Sequence, residues 1–277
     1  MNAGNYKFKL NYSSLWHLWK GGARFAERAG IVIQRVVFLA DASKWQGFIQ
    51  WLMMLRAGVM GAIIKCGQGT SQDPQFENNW SNAKGHVPRG TYWFYDSRIA
   101  PKQQAALWWG WIKDDPGELM HFADYEESYG GVYGGWQNFK VFLEEFKRLS
   151  NGRVKIGIYT GHWYWIAHSP TNLADLQYFA QYPLWLAWYT NNPAVVIIPK
   201  PWNELILWQY GTIPPKPIYE YGVQSLELDS NNFNGDEETY RRYFGLGELP
   251  PPPVNKKLNI NIVLSPGGTV DGTWKEE

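Results

Sequence analysis

The sequence predicts an α/β fold, an irregular (β/α) TIM-like barrel with some late helices missing. Three observations predict it. Short apolar runs alternate with helix-like stretches at roughly 30-residue intervals. The runs are continuous rather than alternating, as strands covered on both faces are. Proline-rich stretches, rather than helices, separate the last of them. Eight strand candidates within about 210 residues suit a closed barrel better than an open sheet.

The elements follow in order. Ser14 can cap a helix carrying Leu15, Leu18 and Phe25, but Gly21 and Gly22 interrupt it, so residues 1–35 read as an N-terminal extension. Val36 to Ala40 is the first strand, ending at Asp41. A helix over Phe48 to Leu55 stops at Gly58, and Met60 to Lys65 is the second strand. A helix over Phe76 to Lys84 leads to a third strand, Gly90 to Tyr95. The stretch Pro101 to Lys113 is helical, with Ala105, Trp108, Trp109 and Ile112 on a heavy apolar side. Leu119 to Asp124 is the fourth strand, Trp136 to Leu149 a helix, and Val154 to Tyr159 the fifth strand. Shorter strands follow at Leu184 to Tyr189, Leu205 to Gln209 and Glu227 to Asp229. The barrel thus spans 36–245. A proline-rich linker occupies 246–257, with Pro250 to Pro253 stiffening into an extended spacer. In 258–277, Leu258, Ile260, Ile262 and Leu264 alternate with mostly polar residues before the turn Ser265-Pro266-Gly267-Gly268, the pattern of a β-hairpin. A lone hairpin is marginal in water, so a docking or assembly role is expected, with a protein partner or through self-association.

Composition narrows the function. The 277 residues carry 26 basic and 25 acidic side chains. That balance argues against a nucleic-acid binder. One cysteine, Cys66, excludes an internal disulfide and a cysteine-built zinc cluster. No apolar run is long enough to span a bilayer, and no signal-peptide pattern opens the chain. Against an ordinary background stand 17 Trp, 17 Tyr and 13 Phe, more aromatic surface than the core needs. Sugar stacking and protein interfaces are two outlets for it.

In a parallel barrel the C-terminal strand ends share one mouth. Asp41, Asp124 and Asp229 end predicted strands, and Glu126 lies just beyond Asp124. Each alone reads equally well as a loop residue or a helix cap; together they suggest a site. In Asp124-Tyr125-Glu126 the two-residue repeat of a strand points both carboxylates the same way, about 6 to 7 Å apart. Like charges so close raise one pKa and leave the other group ionised. Glycoside hydrolysis needs that division: a proton for the leaving oxygen and negative charge for an oxocarbenium-like transition state. Glu127, the neighbouring rival, should point elsewhere. Tyr92, Phe94, Tyr159, Trp185, Tyr189, Trp208 and Gln209 are the substrate-binding candidates, with Trp163 and Trp165 in a predicted loop. Core packing claims part of this set. His121 lies inside a strand, and no histidine spacing forms a metal site, so neither metal nor cofactor is expected. Ser43 and Cys66 have no evident histidine base.

These residues carry a resemblance. Asp41-Ala42-Ser43-Lys44-Trp45-Gln46-Gly47, Ile64-Lys65 to Gly69, Gly90-Thr91-Tyr92-Trp93-Phe94, Asp124-x-Glu126, Gly157-Ile158-Tyr159-Thr160, Leu184 to Tyr189, Trp208-Gln209-Tyr210 and Leu228-Asp229-Ser230-Asn231 occur in the order of glycoside hydrolase family 25. The chain resembles these lysozymes, known from phage endolysins and microbial muramidases, over roughly residues 36–245. The resemblance implies cleavage of the β-1,4 bond between N-acetylmuramic acid and N-acetylglucosamine in peptidoglycan glycan strands. It makes Glu126 the general acid and Asp124 the carboxylate that orients or stabilises the substrate's acetamido group. Asp41 and Asp229 complete the acidic cleft, and the nucleophile is left open between an aspartate and the acetamido oxygen. Trp93 and Gln68 depart from the family's usual His and Glu, which implies altered cleft walls. The implied place of action is the cell wall, reached by phage lysis or in a carried particle. A non-catalytic wall-binding or structural protein on the same scaffold is the alternative. A chitinase-like hydrolase fits less well, because residues 117–123 lack that family's acidic signature.

Overall fold

The computed structural model describes residues 36–127 and 129–247, and the backbone of strands at 259–264 and 270–275. The expectations for residues 1–35 and for the proline spacer lie outside the described residues. The chain divides into two compact units, with the boundary after Leu246.

In the first unit the strands are β1 (Phe38–Ala42), β2 (Gly61–Gln68), β3 (Ser71–Gln72), β4 (Arg89–Phe94), β5 (His121–Asp124), β6 (Ile156–Gly161), β7 (Leu184–Ala187), β8 (Leu207–Gly211) and β9 (Asp229–Phe233). The helices are α1 (Trp51–Arg56), α2 (Phe76–Ala83), α3 (Pro101–Ile112), α4 (Trp136–Ser150), α5 (His162–His168), α6 (Leu173–Tyr178) and α7 (Glu237–Phe244). The sheet order is β1-β9-β8-β7-β6-β5-β4-β2-β3, and β1 also pairs with β2, which closes the barrel. Neighbours from β1 through β8 run parallel, with β3 a short antiparallel return on β2. Short 3-10 turns take the place of helices between β7 and β8 and between β8 and β9. The barrel is therefore irregular in the way the proline-rich late segments predict.

One strand corrects the expectation. Asp229 opens β9 instead of ending a strand, because β9 runs antiparallel to both β8 and β1. The reversal still delivers Asp229 to the same mouth, directly opposite Asp41. Two other corrections concern helices. The predicted loop after β6 is helix α5, and α7 follows β9 where no helix is predicted.

Strand alternation sorts the core. Leu39, Ile63, Phe122, Tyr159, Trp185, Leu207 and Phe233 pack together inside the barrel. Phe38, Ala40, Ala62, Ile64, Ala123 and Leu186 face the helical layer. That layer is dominated by α3 against α4. Phe139, Phe142, Leu143 and Phe146 of α4 are fully buried, and the Phe146 ring lies 4.1 Å from that of Trp108. Each such side chain contributes about 1.5–3 kcal/mol on burial. Helix α4 ends at Asn151, whose left-handed φ of 47° lets its N–H close on the Lys147 carbonyl. At the foot of the barrel the buried Arg89 guanidinium grips Glu118 and Asp115, each through a pair of bonds. Cys66 on β2 is fully buried, and burial beside Glu77 and Asp73 pushes its thiol pKa up.

The second unit is described by its backbone. β10 (Asn259–Leu264) pairs antiparallel with β11 (Val270–Lys275), with Ile260 opposite Trp274.

Candidate active site

Two residues beyond the barrel core, the inward positions turn polar. Leu39 is followed inward by Asp41, Ile63 by Lys65, Phe122 by Asp124 and Leu207 by Gln209, while β9 supplies Asp229 from the opposite direction. The alternation that fills the barrel therefore also gathers its charged groups at one end.

Asp41 and Asp124 are buried. Asp41 accepts a hydrogen bond from Gln209 Nε2 at 3.0 Å. Burial, then the nearby Asp229 and Glu126, hold its carboxyl well above the ordinary range. Asp124 is raised by burial and by Glu126, and its Oδ1 has no hydrogen-bond partner among the described residues. Asp229 is raised to about 6, first by burial and then by Glu227. Glu126 is exposed at the rim, yet desolvation there still outweighs the pull of Lys65 and raises its carboxyl. Like charges so crowded cannot all be ionised, so the cluster as a whole holds protons at a pH where isolated carboxyls would have lost them, while part of it stays charged. Lys65, at the inward position of β2, opposes this for Asp41, Asp124 and Glu126. Its Nζ lies 4.8 Å over the Phe94 ring and 5.8 Å over Tyr92.

The substrate-binding candidates separate into three groups. Tyr92, Phe94 and Tyr189 line the mouth, and Tyr189 is 60% exposed. Tyr159 and Gln209 are buried and wired together. Tyr159 donates to Gln209 Oε1 at 2.8 Å, and Tyr189 donates to the same oxygen at 3.1 Å. Trp185 and Trp208 require correction. Trp185 is buried between Phe122 and Tyr159, with its indole N–H on Asn231 Oδ1, so it is the floor of the mouth and offers no face to a sugar. Trp208 sits at the outward parity of β8, against Tyr210 and the Trp188 carbonyl. Trp165 is buried against Trp202, whereas Trp163, two residues earlier and so on the other side of α5, is 72% exposed with its ring tilted 6.1 Å from that of Trp188. Trp188 is the aromatic that residue-by-residue reading missed; it lies just past β7, where strand ends meet the mouth.

The two departures from the family pattern also resolve. Trp93 faces outward into the helical layer, where its N–H meets Gln104 and its rings pack on Trp108 and Trp111, so it does not alter a cleft wall. Gln68 is at the rim, touching Lys65, Asp96 and Tyr129. In the opening motif Ser43 and Gln46 form a capping box, and Gly47 adopts φ 65° where a Cβ would lie 2.2 Å from the Gln224 side chain. Asp41 is the residue of that motif that reaches the acidic mouth, and Ser43 to Gly47 form its turn. His121 is fully buried on Thr91 and pushed down to about 3 by burial, so its imidazole is neutral packing. Among the described residues no three His, Cys, Asp or Glu side chains are grouped to hold a metal ion, and no helix is long and apolar enough to cross a membrane.

The family model for glycosyl hydrolases family 25 matches residues 40–215. Lysozyme M1 of Streptomyces globisporus is 29% identical over 213 residues, covering 70% of this chain and 67% of that protein. Among solved structures, a bacterial lysozyme from Streptomyces coelicolor aligns with a TM-score of 0.60 at 23% identity, over 73% of this chain and 94% of the other. A muramidase from Acremonium alcalophilum aligns with a TM-score of 0.60 at 22% identity, over 76% and 100%. These structural likenesses are likenesses of fold.

Proposed function

The chain belongs to glycosyl hydrolases family 25, and from that premise we propose that it cleaves the β-1,4 bond between N-acetylmuramic acid and N-acetylglucosamine with Glu126 as general acid. Glycoside hydrolysis of a peptidoglycan-like glycan is the family's chemistry. The observation that carries the finer reading is the crowding of Asp41, Asp124, Glu126 and Asp229 at one mouth, each held above the ordinary carboxylate range. A scaffold that only gripped the wall would have no use for it.

The roles follow from position. Glu126 is exposed at the rim, where a glycosidic oxygen can reach it, and it retains the proton that a leaving oxygen requires. Asp124 is deeper, and its unpartnered Oδ1 suits an acetamido N–H, orienting that group towards the anomeric carbon. Its negative charge also favours a cationic transition state. Asp41 and Asp229 face each other across two strands and set the field in which this proton is held. Tyr92, Phe94 and Tyr189 contact the glycan from the mouth. The action is at the cell wall, extracellular or periplasmic, after release by phage lysis or carriage in a particle. The second unit is a docking or assembly element.

The test is digestion of purified peptidoglycan with mass analysis of the new reducing ends. Ends in N-acetylmuramic acid are expected. Glu126→Gln keeps size but delivers no proton, so turnover should fall by about 10² to 10⁴, or roughly 3–5 kcal/mol of barrel-mouth catalysis. Asp124→Asn should slow the reaction as well, while both variants still sediment with intact walls. Near-wild-type turnover by Glu126→Gln would show the acid to be another residue, and ends in N-acetylglucosamine would overturn the bond assigned.

A further inference from the structure

Glu126 lies beyond the last residue of β5, so the sheet does not hold its backbone directly. Its placement depends on its neighbours. On one side the Tyr125 carbonyl accepts from the Thr160 hydroxyl at 2.7 Å, and the Tyr125 N–H reaches the Tyr159 carbonyl at 2.9 Å. On the other side is Glu127, which is buried and turned away from the mouth. Its two carboxylate oxygens take separate backbone N–H groups, one from Ser97 and one from Tyr129, and its own carbonyl accepts from the Tyr164 hydroxyl.

Ser97 belongs to the loop after β4, and Tyr129 to the loop that carries the acid. Ser97 also accepts Gly131 N–H at its hydroxyl and Tyr133 N–H at its carbonyl. A Cβ on Gly131 would lie 2.2 Å from the Ser97 carbonyl oxygen, so the two loops are in backbone contact. Behind them is a cavity of about 220 Å³ whose lining includes Glu127, Tyr164 and the glycines at 130, 134 and 135. A loop released from its brace has space to retreat into.

We propose that Glu127 is a positioning residue for Glu126, its carboxylate clamping the loops after β4 and β5 so that the acid is fixed over the glycosidic oxygen. The proposal rests on the reading of Glu126 as the proton donor. Glu127 points away from the mouth, as expected, and acts from there on the backbone that carries the acid.

Glu127→Gln retains one acceptor oxygen and turns an amide NH₂ toward the second N–H, a donor facing a donor. A displacement of about 1 Å at a catalytic group costs up to about 10²-fold in rate. The experiment measures kcat, KM and the pH profile of kcat on soluble glycan strands for the full chain, Glu126→Gln, Glu127→Gln and Tyr164→Phe. Expected for Glu127→Gln is a fall in kcat of about 10- to 100-fold with KM within a few-fold. The alkaline limb, where the acid loses its proton, moves to lower pH, because a loosened Glu126 is better hydrated. The groups that face Glu126 are Lys65, Asp41, Asp124, Asp229, Tyr159, Tyr164 and Tyr189, and only Tyr164 is altered in the set. A merely smaller folded fraction lowers the rate at every pH and leaves the limb in place. Tyr164→Phe removes the other end of the brace and should show the same change, smaller, so the test survives if Glu127→Gln does not fold. Wild-type kcat and an unmoved limb in the folded variants would overturn the proposal. Full turnover by Glu126→Gln would overturn it differently, by removing the acid it rests on.

Discussion

Gln209→Leu separates electrostatics from packing at the mouth. Leucine keeps most of the volume and removes both polar ends. Three hydrogen bonds are lost: the one to Asp41 Oδ2 at 3.0 Å, and those from Tyr159 and Tyr189 at 2.8 and 3.1 Å. Tyr189 is largely exposed and can turn to solvent. Tyr159 is buried, and its hydroxyl is also within hydrogen-bonding reach of Glu126. Freed from Gln209, that hydroxyl donates wholly to Glu126. A bond to a charged acceptor is worth about 1.5–3 kcal/mol, and one pKa unit is about 1.4 kcal/mol. Part of the bond exists already, so about one unit of lowering is expected. A lowered Glu126 loses its proton earlier, and the alkaline limb of kcat moves down by about one pH unit. Asp41 loses its donor and moves further up, costing about 2 kcal/mol of stability and about 4–8 °C in Tm for a barrel of this size. The assay is the pH profile of reducing-end release, with thermal unfolding followed by circular dichroism. An alkaline limb that stays in place or rises would refute the wiring from Gln209 through Tyr159 to the acid.

Two further outcomes are expected. Arg89→Met removes the guanidinium from both carboxylates, but Asp115 keeps Lys84, Glu118 keeps the backbone N–H of residue 89, and their side chains are 37% and 43% exposed and rehydrate, so the loss is about 3 kcal/mol, the low end for a broken buried pair. Arg89 holds the Asp115 carboxyl below its ordinary range, so this contribution is full above the ordinary carboxylate pKa and fades as pH falls through the depressed one; the Tm gap between wild type and variant should narrow in acid. Trp163→Ala removes an exposed ring from its place beside Trp188 and should raise KM for glycan strands about 2- to 10-fold, from a stacking energy of about 0.5–1.5 kcal/mol, with kcat unchanged. A fall in kcat alone would place Trp163 outside the binding path.

Much of the barrel is legible because its signals are local. Continuous apolar runs mark β1, β2, β4, β5 and β6 within a few residues, since both faces of each strand are covered. The acidic residue directly after the first and fourth runs is equally local, and it identifies Asp41 and Asp124. What is not legible depends on direction or partners. The short run Glu227-Leu228-Asp229 carries no sign of strand polarity, so the reversal of β9 is invisible until its neighbours are known. Trp185 and Trp208 look alike as strand aromatics, yet barrel closure puts one under the acids and the other outside. Glu127 shows the same limit. Its parity is away from the mouth, but the amides it binds lie in two different loops, which no local pattern shows.

Cys66 gives the molecule a built-in clock. It is the only cysteine of the 277 residues, it is fully buried in β2 between strands β1 and β4, and its thiol is held in the unreactive protonated form. An alkylating reagent therefore meets it only when the barrel parts around the second strand. The rate of modification counts opening events of the catalytic unit itself, without an introduced label and without interference from a second thiol.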